Sequence, residues 1–143
     1  MSSIDIRVME PNDYQLVHAL WDSCEGIGLS EADSESRIRH FLAHNPGLSH
    51  VACEGNRIVG AVLCGEDGRR GYLHHLAVHP TCRRGGIGGI LVRHCLDALA
   101  QRNIQKCHLF IFRENHEGME FWENEGWSQR DDLHIMSKFI DVI

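Results

Sequence analysis

HPTCRRGGIGGILVRHC, residues 79–95, sets Gly85, Gly86, Gly88 and Gly89 between two arginines and an apolar run with helical spacing. Each glycine at a helix start costs up to ~1 kcal/mol relative to alanine. A tight strand-to-helix turn accounts for one or two of them. Four imply backbone that must come close to something, and the free amides and positive dipole end of a helix N-terminus suit an anion. Arg83 and Arg84 add formal positive charge beside those amides. The segment therefore predicts a phosphate-bearing ligand at the head of a helix.

Working outward, YLHHLAVH (72–79) reads as the strand that feeds this helix, and GEDGRRG (65–71) as the turn before it. LSHVACE (48–54) and RIVGAVLC (57–64), separated by Gly55-Asn56, read as a hairpin. Near the N-terminus, IDIRVM (4–9) alternates like a strand and stops at Pro11. Asn12 or Asp13 then caps a helix with Leu16, Val17, Leu20, Trp21 and Cys24 on one side. After Gly26 and Gly28, SEADSESRIRHFLAHNPG (30–47) reads as a second helix with Ile38, Phe41 and Leu42 inward. Downstream of the glycine-rich helix, whose inward side is Ile87, Ile90, Leu91, Cys95, Ala98 and Leu99, KCHLFIF (106–112) reads as a strand. HEGMEFWENEG (116–126) reads as a helix and HIMSKFI (134–140) as a last strand. The order β, α, α, β, β, β, α, β, α, β predicts an α/β fold with a mixed sheet and helices on both faces.

At 143 residues the chain fits one domain spanning 1–143, and 43% hydrophobic with 24% charged residues is enough to bury a core. The formal net charge of −6 argues against a nucleic-acid surface, which needs a concentrated basic face. MSSIDIRVMEPND (1–13) has neither a basic nor an apolar leader region, and no stretch is long enough to span a membrane. None of the six cysteines forms a C-x-x-C pair, so reduced thiols in a cytoplasmic protein are expected. His40 and His44 share a helix face as metal ligands would, but no third ligand stands at a recognisable spacing, and a solvated face is the expectation.

These elements resemble the GNAT superfamily of N-acetyltransferases. Its pyrophosphate signature (arginine or glutamine, two free positions, glycine, one free position, then glycine or alanine) matches Arg83, Gly86 and Gly88. LAVHP (76–80) resembles the exit of its fourth strand, and Asn115, Gly118, Trp122, Gly126 and Trp127 resemble its later motif. The resemblance implies a mostly antiparallel, twisted sheet whose fourth and fifth strands splay apart. It implies acetyl-CoA as acyl donor, with no metal, and transfer by direct attack of a primary amine, from a small molecule or a protein, in a ternary complex. The pyrophosphate would rest on the amides of Arg84, Gly85, Gly86, Ile87, Gly88 and Gly89, with Arg83 and Arg84 offsetting its charge. Backbone groups of Leu76, Ala77 and Val78 would pair with the pantetheine arm, Asn115 at the end of the fifth strand would bond it, and Trp122 would lie beside it.

Amine acetylation needs a base, because an ammonium must lose a proton before it attacks a thioester. In the superfamily, the strand face carrying positions equivalent to 72 and 74 looks onto the acceptor, which singles out His74 with Tyr72 beside it. A regular strand would send His75 to the opposite face. The bland reading of His74 is a packed, hydrogen-bonded histidine. Trp122 stands where many members carry a tyrosine acid, and an indole is no usable acid at neutral pH. An acyl-CoA-binding sensor without turnover is therefore the alternative, whereas a P-loop nucleotide binder is disfavoured because no lysine follows the glycines. Glu31, Asp33 and Glu35 are expected to favour a helix N-terminus and face solvent. A homodimer and the identity of the acceptor are left open.

Overall fold

The computed structural model describes residues 3–142 and contains one five-stranded sheet in the order β1-β2-β3-β4-β5. The strands are β1 (Asp5–Val8), β2 (His50–Glu54), β3 (Arg57–Glu66), β4 (Gly71–Val78) and β5 (Cys107–Leu109). The first three pairings are antiparallel and β4–β5 is parallel. β3 is the central strand. Its run IVGAVLCG is buried on both faces, which is why it reads as continuously apolar rather than alternating. The turn into β4 is fixed locally: Asp67 Oδ1 accepts the amides of Arg69 and Arg70 at 2.8 Å each.

Four α-helices cover the sheet: α1 (Tyr14–Asp22), α2 (Glu35–His44), α3 (Ile87–Gln101) and α4 (His116–Asn124). On one face, Val17, Leu20 and Trp21 of α1 and Ile38 and Leu42 of α2 pack on Val51, Ala61, Leu63 and Ala77. On the other, Leu91, Val92, Cys95 and Leu99 of α3 pack on Ala52, Val59, Val62, Cys64 and Leu73. Trp21 and Leu91 are 1% and 0% exposed, so each face has its own closed core.

Four expectations from sequence are corrected. The second helix does not begin at Ser30: a 3-10 turn at Glu31–Asp33 comes first, and Ser34 in extended conformation caps α2 afresh through Arg37 N. β5 spans 107–109 rather than 106–112. HIMSKFI forms no strand; it lacks strict alternation, Ile135 with Met136 and Phe139 with Ile140 being adjacent pairs, and β5 is too short to template it. Leu16 and Ile90, expected inward, are 51% and 36% exposed, and Cys24 lies beyond the end of α1.

One buried histidine makes stability depend on pH. His50 sits between β2 and α3, its ring Nδ1 2.8 Å from Leu48 O, and burial pushes its imidazole below the ordinary histidine range, with His94 adding to this. The unfolded chain therefore binds more protons than the folded one once pH falls below ~6.5, and stability drops through that window. Lowering pH from about 7.5 to about 5.5 should reduce Tm, and His50→Gln should flatten that dependence; thermal melts across the range check this.

Candidate active site where two strands part

β4 and β5 pair only at Gly71–Cys107, Tyr72–His108 and Leu73–Leu109. β4 then runs on to Val78 while β5 ends, so its remaining edge has no strand neighbour on that side. Within the same stretch, β3 has one residue between Ala61 and Leu63 where β4 has two between His74 and Ala77. The extra residue makes a bulge, and His75 takes φ of 54°, left-handed backbone that is rare outside glycine.

This bulge corrects the facing argument for the two histidines. His74 meets Phe41 of α2 at 6.1 Å between ring centroids, and His75 meets Trp21 of α1 at 5.1 Å. Both thus lie on the α1–α2 side. Beyond the bulge the alternation is reversed: Leu76 and Val78 pack toward α3, and Ala77 toward α1 and α2. Tyr72 lies beside His74 with parallel rings 6.4 Å apart. Burial pushes the His74 imidazole below the ordinary range; His75 adds to the shift and Asp33 opposes it.

Asp33 does not face solvent. It is 7% exposed, its Oδ1 lies 2.9 Å from His75 Nε2, and its Oδ2 accepts Ser30 N at 3.0 Å. The signal for this was the Ser30-x-x-Asp33 spacing, a capping box that turns the aspartate back on its own chain. Trp21 Nε1 donates to His75 O at 3.2 Å, and Tyr14 Oη donates to Asp33 O at 2.8 Å. Two bonds thus hold the strained bulge, one from Trp21 and one from Asp33, and Tyr14 in turn anchors Asp33.

The glycines of the opening stretch divide into two pairs. Gly85 and Gly86 are exposed: a side chain at Gly85 would meet only Cys82 O at 3.9 Å, and Gly86 has φ of 83° with open space around it. Gly88 and Gly89 are buried, and an added Cβ would lie 3.2 Å from Phe121 and 3.2 Å from the Glu125 carboxylate. So the second pair lets α4 approach α3, a packing role that the sequence did not separate from anion binding. No side chain caps α3, so the amides of its first turn have no capping partner. An open cleft of about 580 Å³ lies by Arg83 and Arg84, lined also by Pro80, Glu117, Glu120, Phe121 and Asn124. Arg83 is partly engaged: its Nε donates to Val78 O at 3.0 Å, and its guanidinium lies 3.6 Å from Glu25. Cys24 Sγ reaches the same carbonyl at 3.6 Å.

Asn115 is not at the end of β5 but six residues beyond it, as the cap of α4, where its Oδ1 accepts Gly118 N at 2.9 Å. Trp122 packs edge-on against Phe121 and Trp127, at 5.0 and 5.1 Å, on the α3 side of the sheet. His40 and His44 stack on the exposed side of α2, and among the described residues no cluster of His, Cys, Asp or Glu is placed to hold a metal. No helix among them is long and apolar enough to cross a membrane.

Comparison with known proteins gives the family and the fold. Residues 14–127 match the Acetyltransferase (GNAT) family. An acetyltransferase of Pectobacterium atrosepticum is 30% identical over 96% of this chain and 97% of its own, and one of Sodalis glossinidius is 30% identical over 94% of each. Among solved structures, the PaiA N-acetyltransferase of Thermoplasma acidophilum in complex with coenzyme A superposes with a TM-score of 0.80 at 18% identity, covering 90% of this chain and 92% of that one.

The two kinds of glycine should separate in stability measurements. Gly88→Val must push into Phe121 and Val78 and should cost ~1–3 kcal/mol by denaturant unfolding. Gly85→Val, at an exposed site with room around it, should stay within ~0.5 kcal/mol of the parent.

Proposed function

Since the chain belongs to the acetyltransferase (GNAT) family and is an N-acetyltransferase that takes its acetyl group from acetyl-CoA, we propose that His74 accepts the amine's proton at the parting of β4 and β5. The observation that carries this reading is the position of His74: one residue past the last β4–β5 pair, beside Tyr72, and kept neutral by burial so that its ring has a lone pair to offer. Acetyl-CoA supplies an acyl group on a good leaving thiolate. The ammonium first gives a proton to His74, directly or through water; the freed amine nitrogen then attacks the acyl carbon, the carbon–sulfur bond breaks, and the proton the nitrogen sheds on becoming an amide leaves through water.

The residues present fit such a ligand. Gly85 and Gly86, with the uncapped amides of Ile87, Gly88 and Gly89, form the anion cradle, and Arg84 is exposed beside it. Backbone of Leu76, Ala77 and Val78 lies along the strand edge that β5 leaves open, which suits an extended arm added as a strand would be. An arm that bonds Val78 O takes the place of Arg83 Nε and frees that guanidinium for the diphosphate. Asn115, with its Oδ1 committed to the α4 cap, has its amide nitrogen left to donate. Trp122 acts by packing and not as an acid, so the thiolate leaves unassisted or is protonated by water. A sensor without turnover is not favoured, because the relatives are named acetyltransferases. Cytoplasmic residence agrees with the six cysteines, all free thiols.

The deciding experiment is release of free CoA across a panel of primary amines, with mass detection of the acetylated product. Acetyl-CoA at a hundredfold excess over its Kd should stabilise the protein by ~2.7 kcal/mol, and Gly85→Val should reduce that stabilisation. With one confirmed amine, His74→Gln should lower kcat by ~10²–10⁴, the deficit shrinking as pH rises toward the amine's own pKa. In the parent, the acid limb of kcat/KM should fall below ~6.5, in keeping with the lowered imidazole. Trp122→Phe should keep most of kcat. A collapse of turnover there with acetyl-CoA affinity intact would assign the indole N–H a part in the reaction.

A further inference from the structure

Five aromatic rings meet on the α1–α2 side of the strand parting. Tyr72 and His74 stand in parallel on β4, Phe110 lies 6.4 Å from both, His108 lies 5.8 Å from Tyr72, and Phe41 closes the group against His74. The rings come from three separate elements, and Phe110 is 60% exposed, so the group borders open space and is not core. Phe112, 55% exposed, continues it: its ring lies so close to Gly28 that a Cβ there would be 2.6 Å away, which makes the segment after α1 a wall on that side.

The carboxylates nearby are mostly committed. Asp33 is bound to His75 and Ser30, Glu35 to Arg39, Glu66 to Arg102, and Asp67 to the amides of its own turn. Glu31, exposed on the 3-10 turn, and Glu114, exposed two residues past Phe112, are the two that are not. A polyamine or an aminoglycoside brings several ammonium groups and needs several free anionic partners. This face instead offers ring surfaces, which pack an apolar skeleton and attract a single ammonium through their π electrons.

On the acetyltransfer reading above, we infer that the acceptor is a primary amine carried on an aromatic or large apolar skeleton, held by Phe110, Tyr72 and Phe41 with its nitrogen toward His74. Such an amine is found either in a free arylalkylamine or at the N-terminus of a peptide whose first residue is aromatic.

The test uses the full chain with acetyl-CoA and four acceptors: 2-phenylethylamine, a short peptide beginning with phenylalanine, spermidine and kanamycin. Either aromatic acceptor, or both, should exceed spermidine and kanamycin in kcat/KM by at least roughly tenfold, the order of gain that ring contacts supply. The ratio between the two identifies the source. Phe110→Ala should raise KM for the preferred aromatic acceptor by about tenfold or more, with a smaller change in kcat and an unchanged Tm, and Phe110→Trp should recover it. Equal or faster turnover of spermidine or kanamycin overturns the inference, above all if Glu31→Gln abolishes it, and so does a KM that Phe110→Ala leaves unmoved. If none of the four acceptors releases CoA but a wider amine panel finds one that does and has no aromatic or large apolar skeleton, only this inference fails. Silence across the whole panel with acetyl-CoA bound removes the acetyltransfer reading and this inference with it.

Discussion

The one extra residue that β4 carries opposite β3 governs the rest of the site. Without it, His75 would point toward α3, Leu76 and Val78 would take the α1–α2 side, and the strand edge beyond Leu73 would be out of step with the helix it feeds. A bulge costs a paired position and here also places a non-glycine residue in left-handed backbone, on the order of 1–3 kcal/mol. The surroundings hold it from one side: Trp21 on the His75 carbonyl, and Asp33 on the His75 ring. The same bonds tie α1 and the segment before α2 to the strand that carries His74. The face that carries His74 and the first core are therefore one piece of structure.

The element types were legible because each has its own period. β3 reads as an unbroken apolar run because both its faces are covered, and α3 as a 3.6-residue pattern because only one is. The glycine stretch marked the start of α3, and the order of elements around it was enough to place the sheet. What sequence could not supply were the features that depend on counting residues between paired positions. Nothing in YLHHLAVH says that two residues of it face one of its neighbour, so the strict alternation expected for His74 and His75 was the wrong rule at that point.

Asp33 was misjudged for a related reason. Three acidic residues at alternate positions look like a solvated helix start, and only the serine three positions before Asp33 distinguishes it from the other two. The ring cluster could not be seen at all, since Phe41 of α2, Tyr72 of β4 and Phe110 just past β5 come from separate parts of the chain with no common spacing. Trp122 illustrates the limit of carrying a motif over: the position matches, but the residue is an indole whose ring partners are Phe121 and Trp127.

The sheet separates two cores that share backbone but few side-chain neighbours, Trp21 and Leu42 on one side, Leu91 and Cys95 on the other. Energetic coupling between substitutions requires shared contacts or a common backbone shift. Truncations on opposite sides should therefore add nearly arithmetically, while those on the α1–α2 side should interact with changes at Asp33 and His75. Sequence drift can then proceed in the α3 core, beneath Gly85 and Gly86, with little effect on the face that carries Tyr72 and His74. Two halves of one domain are thus free to diverge at different rates, so that on the proposed assignment the acceptor side can change while the donor side is kept.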